Sequence, residues 1–277
     1  MKKQGILLAV AVLFCAIGFA QAQELHGSFD LTYQTDYIWR GFDLFGDKTA
    51  IQSSLDLDLF GTGFGASVMG HRANSSGYEA GERWDYNLYY QNMVCPDETY
   101  ALMYRLGWMY YNFPQGHNQD ADLQEMHAIF SLPKACPTGV IPTYVLVKLW
   151  PNSSGSLVAS NLDLSTSPPT SSKGTASGWA HIFMLDYPWT VGGIMPDTPE
   201  QVLNLHAEVV YNDGVGPPGN DVDHDWTNAV FGITTGIDLA ENLTLTPGLY
   251  HQIIMDSSVN HSKENETWAT MSMTYKF

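Results

Sequence analysis

Positive charge is what this sequence has least of. Among 277 residues, 12 Lys and Arg stand against 29 Asp and Glu, for a formal net charge of −17. Phosphate backbones are bound through Lys and Arg, so nucleic acid is excluded as a partner. Long apolar runs are also missing. The one such run, Ile6 to Ala20, is shorter than the roughly 18–20 residues a spanning helix needs. A membrane reading therefore has to use strands closed into a barrel. Cysteine is scarce, with three in the chain, and His71, His127, His206 and His251 lie in separate segments without zinc-type spacing. No G-x-S-x-G elbow is present, and no metal or cofactor is implied.

What is present at the start is an export signal. Lys2 and Lys3, the apolar run and then Ala20-Gln21-Ala22 follow the order of a secretory leader, with cleavage expected after Ala22. Residues 1–22 are thus read as leader and 23–277 as one domain. Loss of Lys2 and Lys3 takes the formal charge from −17 to −19. Only 15% of residues are charged while 13% are aromatic, with 15 Tyr and 8 Trp. That balance suits an exterior in lipid with aromatic girdles at its two interfaces.

Alternation with a period of two runs through the rest. "SFDLTYQTDYIWR" puts Phe29, Leu31, Tyr33, Tyr37 and Trp39 on one face and Asp30, Gln34, Asp36 and Arg40 on the other. "AIQSSLDLDLF" opposes Leu55 and Leu57 to Asp56 and Asp58, and "RWDYNLYYQ" opposes Trp84, Tyr86 and Leu88 to Arg83, Asp85 and Asn87. "YALMYRLGWMY" carries Arg105 behind an aromatic face, and "VLNLHAEVVY" carries Asn204, His206 and Glu208 behind Leu203 and Leu205. In "LQEMHAIFS" and "TYVLVKLW" the inward residues are read as Glu125, His127 and Lys148; "GWAHIFMLDY" is apolar on both faces and its register stays open. The final segment alternates from Ala269 to Phe277 and is expected to pair with the first strand. About twelve segments result, each near the roughly 9–11 residues of a tilted membrane strand.

The breaks between segments alternate long and short. "HRANSSGYEAGE", "NFPQGHNQDAD" and the Ser-rich stretch at 151–178 are long; "GTG", "CPDE" and "LAEN" are short. Long loops on one side and short turns on the other are the mark of an up-and-down transmembrane barrel, with long loops outside and short turns in the periplasm. The rival is a soluble sandwich, which shares the alternation and has no need of the asymmetry. The fold class expected is an all-β, antiparallel transmembrane barrel of about twelve strands in the bacterial outer membrane.

Two stretches carry a family resemblance. "TDYIWRG", Thr35 to Gly41, with Lys48 after it, and "YRLGWMYYNFP", Tyr104 to Pro114, are similar to the Gcw_chp family of uncharacterised bacterial outer-membrane proteins. After Gly41 the chain reads Phe42-Asp43-Leu44, where that family tends to have an aliphatic residue, Ser and Gln. The resemblance implies an outer-membrane barrel and no activity.

The residues read as lining the lumen are Asp30, Asp36, Asp56, Asp58, Asp85, Glu125 and Glu208, against Arg40, Arg83, Arg105 and Lys148. Such a set either selects solutes or pairs into a salt-bridged plug. A barrel of twelve strands lies between those filled by side chains and those holding an aqueous channel, so both readings stand. The expectation is a small porin-like channel for small polar or cationic solutes, with Asp56 and Asp58 as the selecting pair. The alternatives are a plugged structural or adhesive barrel working through its 151–178 loop, and a lipid-modifying enzyme. For the enzyme, only His71, Asn74 and Ser75 offer a nucleophile beside a base. Asp221, Asp223 and Asp225 resemble a calcium loop but lack its Gly and Glu, so no metal site is expected. Cys95 and Cys136, the pair left after the leader, are expected to form a disulfide in an oxidising compartment. Expected partners are membrane lipid and lipopolysaccharide, small solutes, and the barrel-assembly machinery through Phe277.

Overall fold

Twelve long segments alternate between apolar and polar positions, and the sheet they form has no free edge. The computed structural model describes residues 25–115, 122–152, 177–193, 200–215, 221–256 and 265–277. Its strands are β1 (His26–Gln34), β4 (Ala50–Asp58), β5 (Phe64–Ala73), β6 (Arg83–Val94), β7 (Leu102–Asn112), β8 (Leu123–Ser131) and β9 (Ile141–Pro151). Then come β10 (Gly178–Gly192), β11 (Glu200–Val215), β12 (Asp221–Thr235), β14 (Leu243–Ile254) and β15 (Glu266–Lys276). The short β13 (Ile237–Ala240) continues β12 past Gly236, and β2 (Ile38–Trp39) pairs with β3 (Phe42–Asp43) in a separate hairpin. Each long strand bonds its neighbour in sequence, β1 bonds β15, and β12 bonds β14, which closes a twelve-stranded antiparallel barrel. The closing register runs Asp30↔Thr274 and Gln34↔Thr270.

The pleat sorts the side chains as the alternation requires. Phe29, Leu31 and Tyr33 stand outward, each more than 40% exposed, with Met271, Met273 and Tyr275 beside them on β15. Between them Asp30 points inward, accepting hydrogen bonds from Thr32 Oγ1 and Thr274 Oγ1 at 2.7 Å each. A sheet closed on itself with its greasy face outside and its polar face inside is not a sandwich, whose apolar faces must cover each other. The start of β1, the C-terminal Phe277 and the turns at 59–63, 95–101, 132–140 and 241–242 lie at one end of the barrel, here the turn end. The connections at 35–49 and 74–82, with residues 113–115 and 122, lie at the other, the loop end.

Three expectations change. The first strand does not continue through Tyr37 and Trp39 but stops at Gln34, and residues 35–49 fold into the barrel. Thr35 fixes the departure by trading two hydrogen bonds of 3.0 Å with Ala269: its N–H donates to the Ala269 carbonyl and its hydroxyl accepts from the Ala269 N–H. Lys148 faces outward, because its register partners Met126 and Trp179 do, while Val147 and Leu149 are the buried inward residues of β9. Cys95 and Cys136 are both free thiols. The two turns that carry them are tied instead by Lys134, whose ammonium donates to the Pro96 carbonyl at 2.5 Å. The leader and the 151–178 stretch, apart from residues 151, 152, 177 and 178, lie outside the described residues, as do the side chains of Asp221 and Asp223. Asp225 accepts from the N–H of Trp226.

Candidate functional site

The site begins with a turn that only part of the alphabet tolerates. Between β2 and β3 the chain reverses at Arg40 and Gly41, with φ of 50° and 91°. Two successive positive values define the tightest hairpin turn, which favours Gly and strains a residue such as Arg. Gly41 is also required sterically: a Cβ there would lie 2.7 Å from Asn228 Oδ1 on β12. The tip is thereby pressed against the far wall of the lumen.

Arg40 reaches one side of that wall, and its guanidinium donates to Glu125 Oε2 on β8 at 2.6 Å. The same oxygen accepts from Tyr111 Oη at 2.6 Å, and His127 Nδ1 lies 3.3 Å from Glu125 Oε1. On the other side Gln252 of β14 donates to the Gly41 carbonyl at 3.3 Å and accepts from Asn228 at 3.3 Å. The hairpin therefore bridges the lumen from β8 to β12 and β14. His127 is accommodated because Gly107 opposes it: a Cβ at Gly107 would lie 2.2 Å from His127 Nε2.

Behind the hairpin lies the most buried charge in the barrel. Arg83 is 1% exposed and holds Asp85 at 2.7 Å. It donates to Tyr37 Oη at 2.8 Å, and its guanidinium lies 4.1 Å from the Trp39 ring and 4.8 Å from the Tyr111 ring. His71 Nε2 lies 2.9 Å from Asp85, and Gln52 donates to His71 Nδ1 at 2.8 Å. Tyr37 stacks on His71 with centroids 4.9 Å apart, and Phe45, fully buried, packs on Tyr37. A buried guanidinium is tolerated only when its charge and its faces are both occupied, and the hairpin supplies those partners.

The inward residues toward the turn end are more open. Asp30, Asp56 and Arg105 are half-buried, and Met69 and Met103 are exposed. Asp56 accepts from Tyr89 Oη at 2.7 Å. Arg105 finds no carboxylate; it bonds Gln91 at 2.6 Å and lies over the Tyr89 ring at 4.1 Å. Asp58 does not pair with Asp56 as a selecting couple, because its carboxylate caps the turn by accepting the Gly61 N–H at 2.8 Å. Asp36 is not on the wall either. It lies in the bend that leads into the hairpin, near Asp43, Asp47 and Lys48, and burial, then the Asp43 and Asp47 charges, hold its carboxyl above the ordinary value of 3.8. Burial likewise raises Asp43, although its carboxylate accepts the Phe45 and Asp47 N–H groups.

On the opposite wall His206 Nδ1 lies 2.7 Å from Asp186, and Glu208 shares an electrostatic interaction with Arg40 across the lumen. The sequence carries no signal for Asp186, because "GWAHIFMLDY" is apolar on both faces; its pairing with His206 fixes the register. His71 is committed to Asp85 and Gln52 inside the barrel, while Asn74 and Ser75 sit in the loop after β5, so they form no nucleophile–base pair. Among the described residues no group of three or more potential ligands could hold a metal.

Solved structures share this architecture. An outer membrane channel from Pseudomonas putida F1 superposes with a TM-score of 0.51 at 8% identity, over 94% of this chain and 97% of that one. A KdgM porin in complex with disordered oligogalacturonate gives 0.49 at 9% identity, over 90% and 99%. A NanC porin gives 0.48 at 12% identity, over 90% and 98%. The first of these supports the fold at a level that carries weight. No curated protein matches the chain. Residues 21–148 match the family described as a bacterial protein of unknown function (Gcw_chp), and over that span, which includes the inner hairpin and its receptor strands β5 to β8, the chain is similar to that family.

Proposed function

We propose that the protein is a small outer-membrane channel for small polar or cationic solutes, narrowed at its loop end by the hairpin at residues 37–45. The observation that carries this reading is how the lumen's charge is shared out. The arginines at the constriction are committed, Arg40 to Glu125 and Arg83 to Asp85. Asp30, Asp56 and Glu208 face the lumen without an arginine or lysine within ion-pair distance among the described residues. Against these three carboxylates stands Arg105, whose guanidinium bonds Gln91 and no carboxylate, so the uncompensated charge of this set is negative. A narrow passage with low-dielectric walls focuses such an excess and favours cations. The chain's leader-like start and aromatic exterior support an outer-membrane location with the turn end in the periplasm.

Currents across a planar bilayer holding the purified protein test the reading. It predicts small currents with cation preference. A second reading, a structural barrel without transport, draws on the depth of burial behind the hairpin, where Arg83 and Phe45 are almost inaccessible. A wild-type barrel that inserts, passes no current, and still passes none when the hairpin is excised would establish that second reading and remove the channel.

A further inference from the structure

The outer wall of β8 to β12 carries a feature that neither the lumen nor the constriction uses. A groove of about 510 Å³ runs across these strands. Its floor is formed at Ala207 and Ala229, where small side chains leave the wall thin, and its sides by Phe130, Tyr144, Phe183 and Phe231. All six side chains face outward in the register of the sheet. The rings are not independent. Tyr144 lies 5.1 Å from Phe183 and 6.5 Å from Phe130, so the flanks form one aromatic frame.

The groove leads toward a cation. Tyr144 donates to, or accepts from, His181 Nδ1 at 2.7 Å, and one step further toward the loop end Lys148 lies outward beside Trp179, its ammonium 5.2 Å from that ring. Among the described strand residues that face outward, the only other Lys or Arg is Arg72, which is ion-paired with Glu82 at 3.1 Å. The acid that stands opposite Trp179 on β11, Asp213, is bonded to His224. Lys148 is left with an aromatic face and no counter-charge among the described residues. A charge at the aromatic girdle with an apolar channel beneath it has the polarity of a lipid molecule, anionic head above and hydrocarbon below.

We propose that this face is a binding site for a phosphate-bearing lipid of the leaflet at the loop end. The phosphate sits at Lys148 and His181, and one acyl chain lies along Tyr144 and Phe183 into the groove over Ala207 and Ala229. The inference rests on the barrel residing in a membrane and is independent of whether the lumen conducts. Ring faces and a concave floor hold a chain by dispersion contacts that a flat wall cannot make on both sides.

Native mass spectrometry of the full-length protein released from vesicles containing phosphatidic acid and diacylglycerol with identical chains tests it. The wild type should retain one phosphatidic acid in preference to diacylglycerol. Lys148→Ala should reduce that preference roughly fivefold, the effect of one interfacial charge, and leave diacylglycerol retention unchanged. Ala229→Trp, which fills the floor, should reduce retention of both. Equal retention of the two lipids by the wild type, or an unchanged preference in Lys148→Ala, overturns the head site; unchanged retention in Ala229→Trp overturns the groove. A barrel that does not float with the vesicles at all refutes the membrane reading instead, which separates the two failures.

Discussion

The two ends of the lumen are lined by the same polar side of the same strands, yet one is packed and the other is open. At the loop end Arg83, Asp85, Glu125 and His71 are buried beneath Tyr37, Trp39 and Phe45. At the turn end Asp30, Asp56 and Arg105 remain half-buried and make hydrogen bonds to Thr32, Thr274, Tyr89 and Gln91. Among the described residues, what separates them is the connection at residues 35–49, which turns inward. A charge covered by an aromatic lid must be paired, because an unpaired one pays the full cost of desolvation. A charge left in a wet vestibule keeps its field for passing ions. The same residue type is thus structural at one end and selective at the other.

The comparison breaks most severely at Arg83. Arg83→Met should leave buried Asp85 with only His71 beside it and lower stability by about 3–5 kcal/mol, read as a shift of the urea midpoint by tryptophan fluorescence. A shift under about 1 kcal/mol would mean that water reaches Asp85 and that the loop end is less sealed than its burial indicates. Next comes Arg40→Ala, which cuts the tip from Glu125 and leaves a Cβ at the same positive φ. The hairpin should then leave the lumen more often, raising the open fraction by roughly ten- to a hundredfold in single-channel records, since each 1.4 kcal/mol is a factor of ten. Unchanged records would mean that Gln252 and the aromatic packing hold the tip without the arginine.

A smaller effect is expected at the open end. Asp30→Asn with Asp56→Asn should lower the cation-to-anion permeability ratio while the urea midpoint stays nearly fixed, because neither carboxylate is in an ion pair. Selectivity that survives this change would move the filter to Glu208 and Asp186. The smallest effect concerns pH. The Asp36 carboxyl is held above 3.8, first by burial and then by Asp43 and Asp47, so its protonated form favours the packed loop. Seating of the hairpin should therefore be tightest below that value and loosen as pH rises through the raised one. Hydrogen exchange of residues 36–47 across the acid range measures this, and Asp36→Asn should flatten the dependence.

Most of the wall was legible because strands half in lipid and half in water leave a period of two in the sequence. Trp84, Tyr86 and Leu88 against Arg83, Asp85 and Asn87 could be assigned to faces by inspection, and the sheet has them there. Lys148 was misplaced for a physical reason. The inward side of β9 is Val145 and Val147, buried with Ala180, Ile182 and Val210, and Leu149, buried with Tyr111 and Leu123, so that strand is apolar on both faces and its lysine resembles a polar side. Asp186 on β10 is hidden in the sequence for the same cause. The hairpin was illegible because Tyr37 and Trp39 continue the alternation of β1 after the strand has ended; periodicity cannot register a chain that leaves the sheet.

By itself the sequence determined the closed antiparallel barrel, its strand count and the sorting of most side chains, because local alternation and turn spacing are written residue by residue. Only the tertiary structure decided which polar residues meet. The two stretches that resemble the family, Thr35–Gly41 and Tyr104–Pro114, are some 70 residues apart, yet Trp39 packs on Tyr111 at 5.4 Å and Arg40 and Tyr111 share Glu125. That meeting depends on barrel closure, which brings a connection at one strand's end within reach of strands several places around the ring. No local pattern carries that information, since it is set by the curvature of the whole sheet.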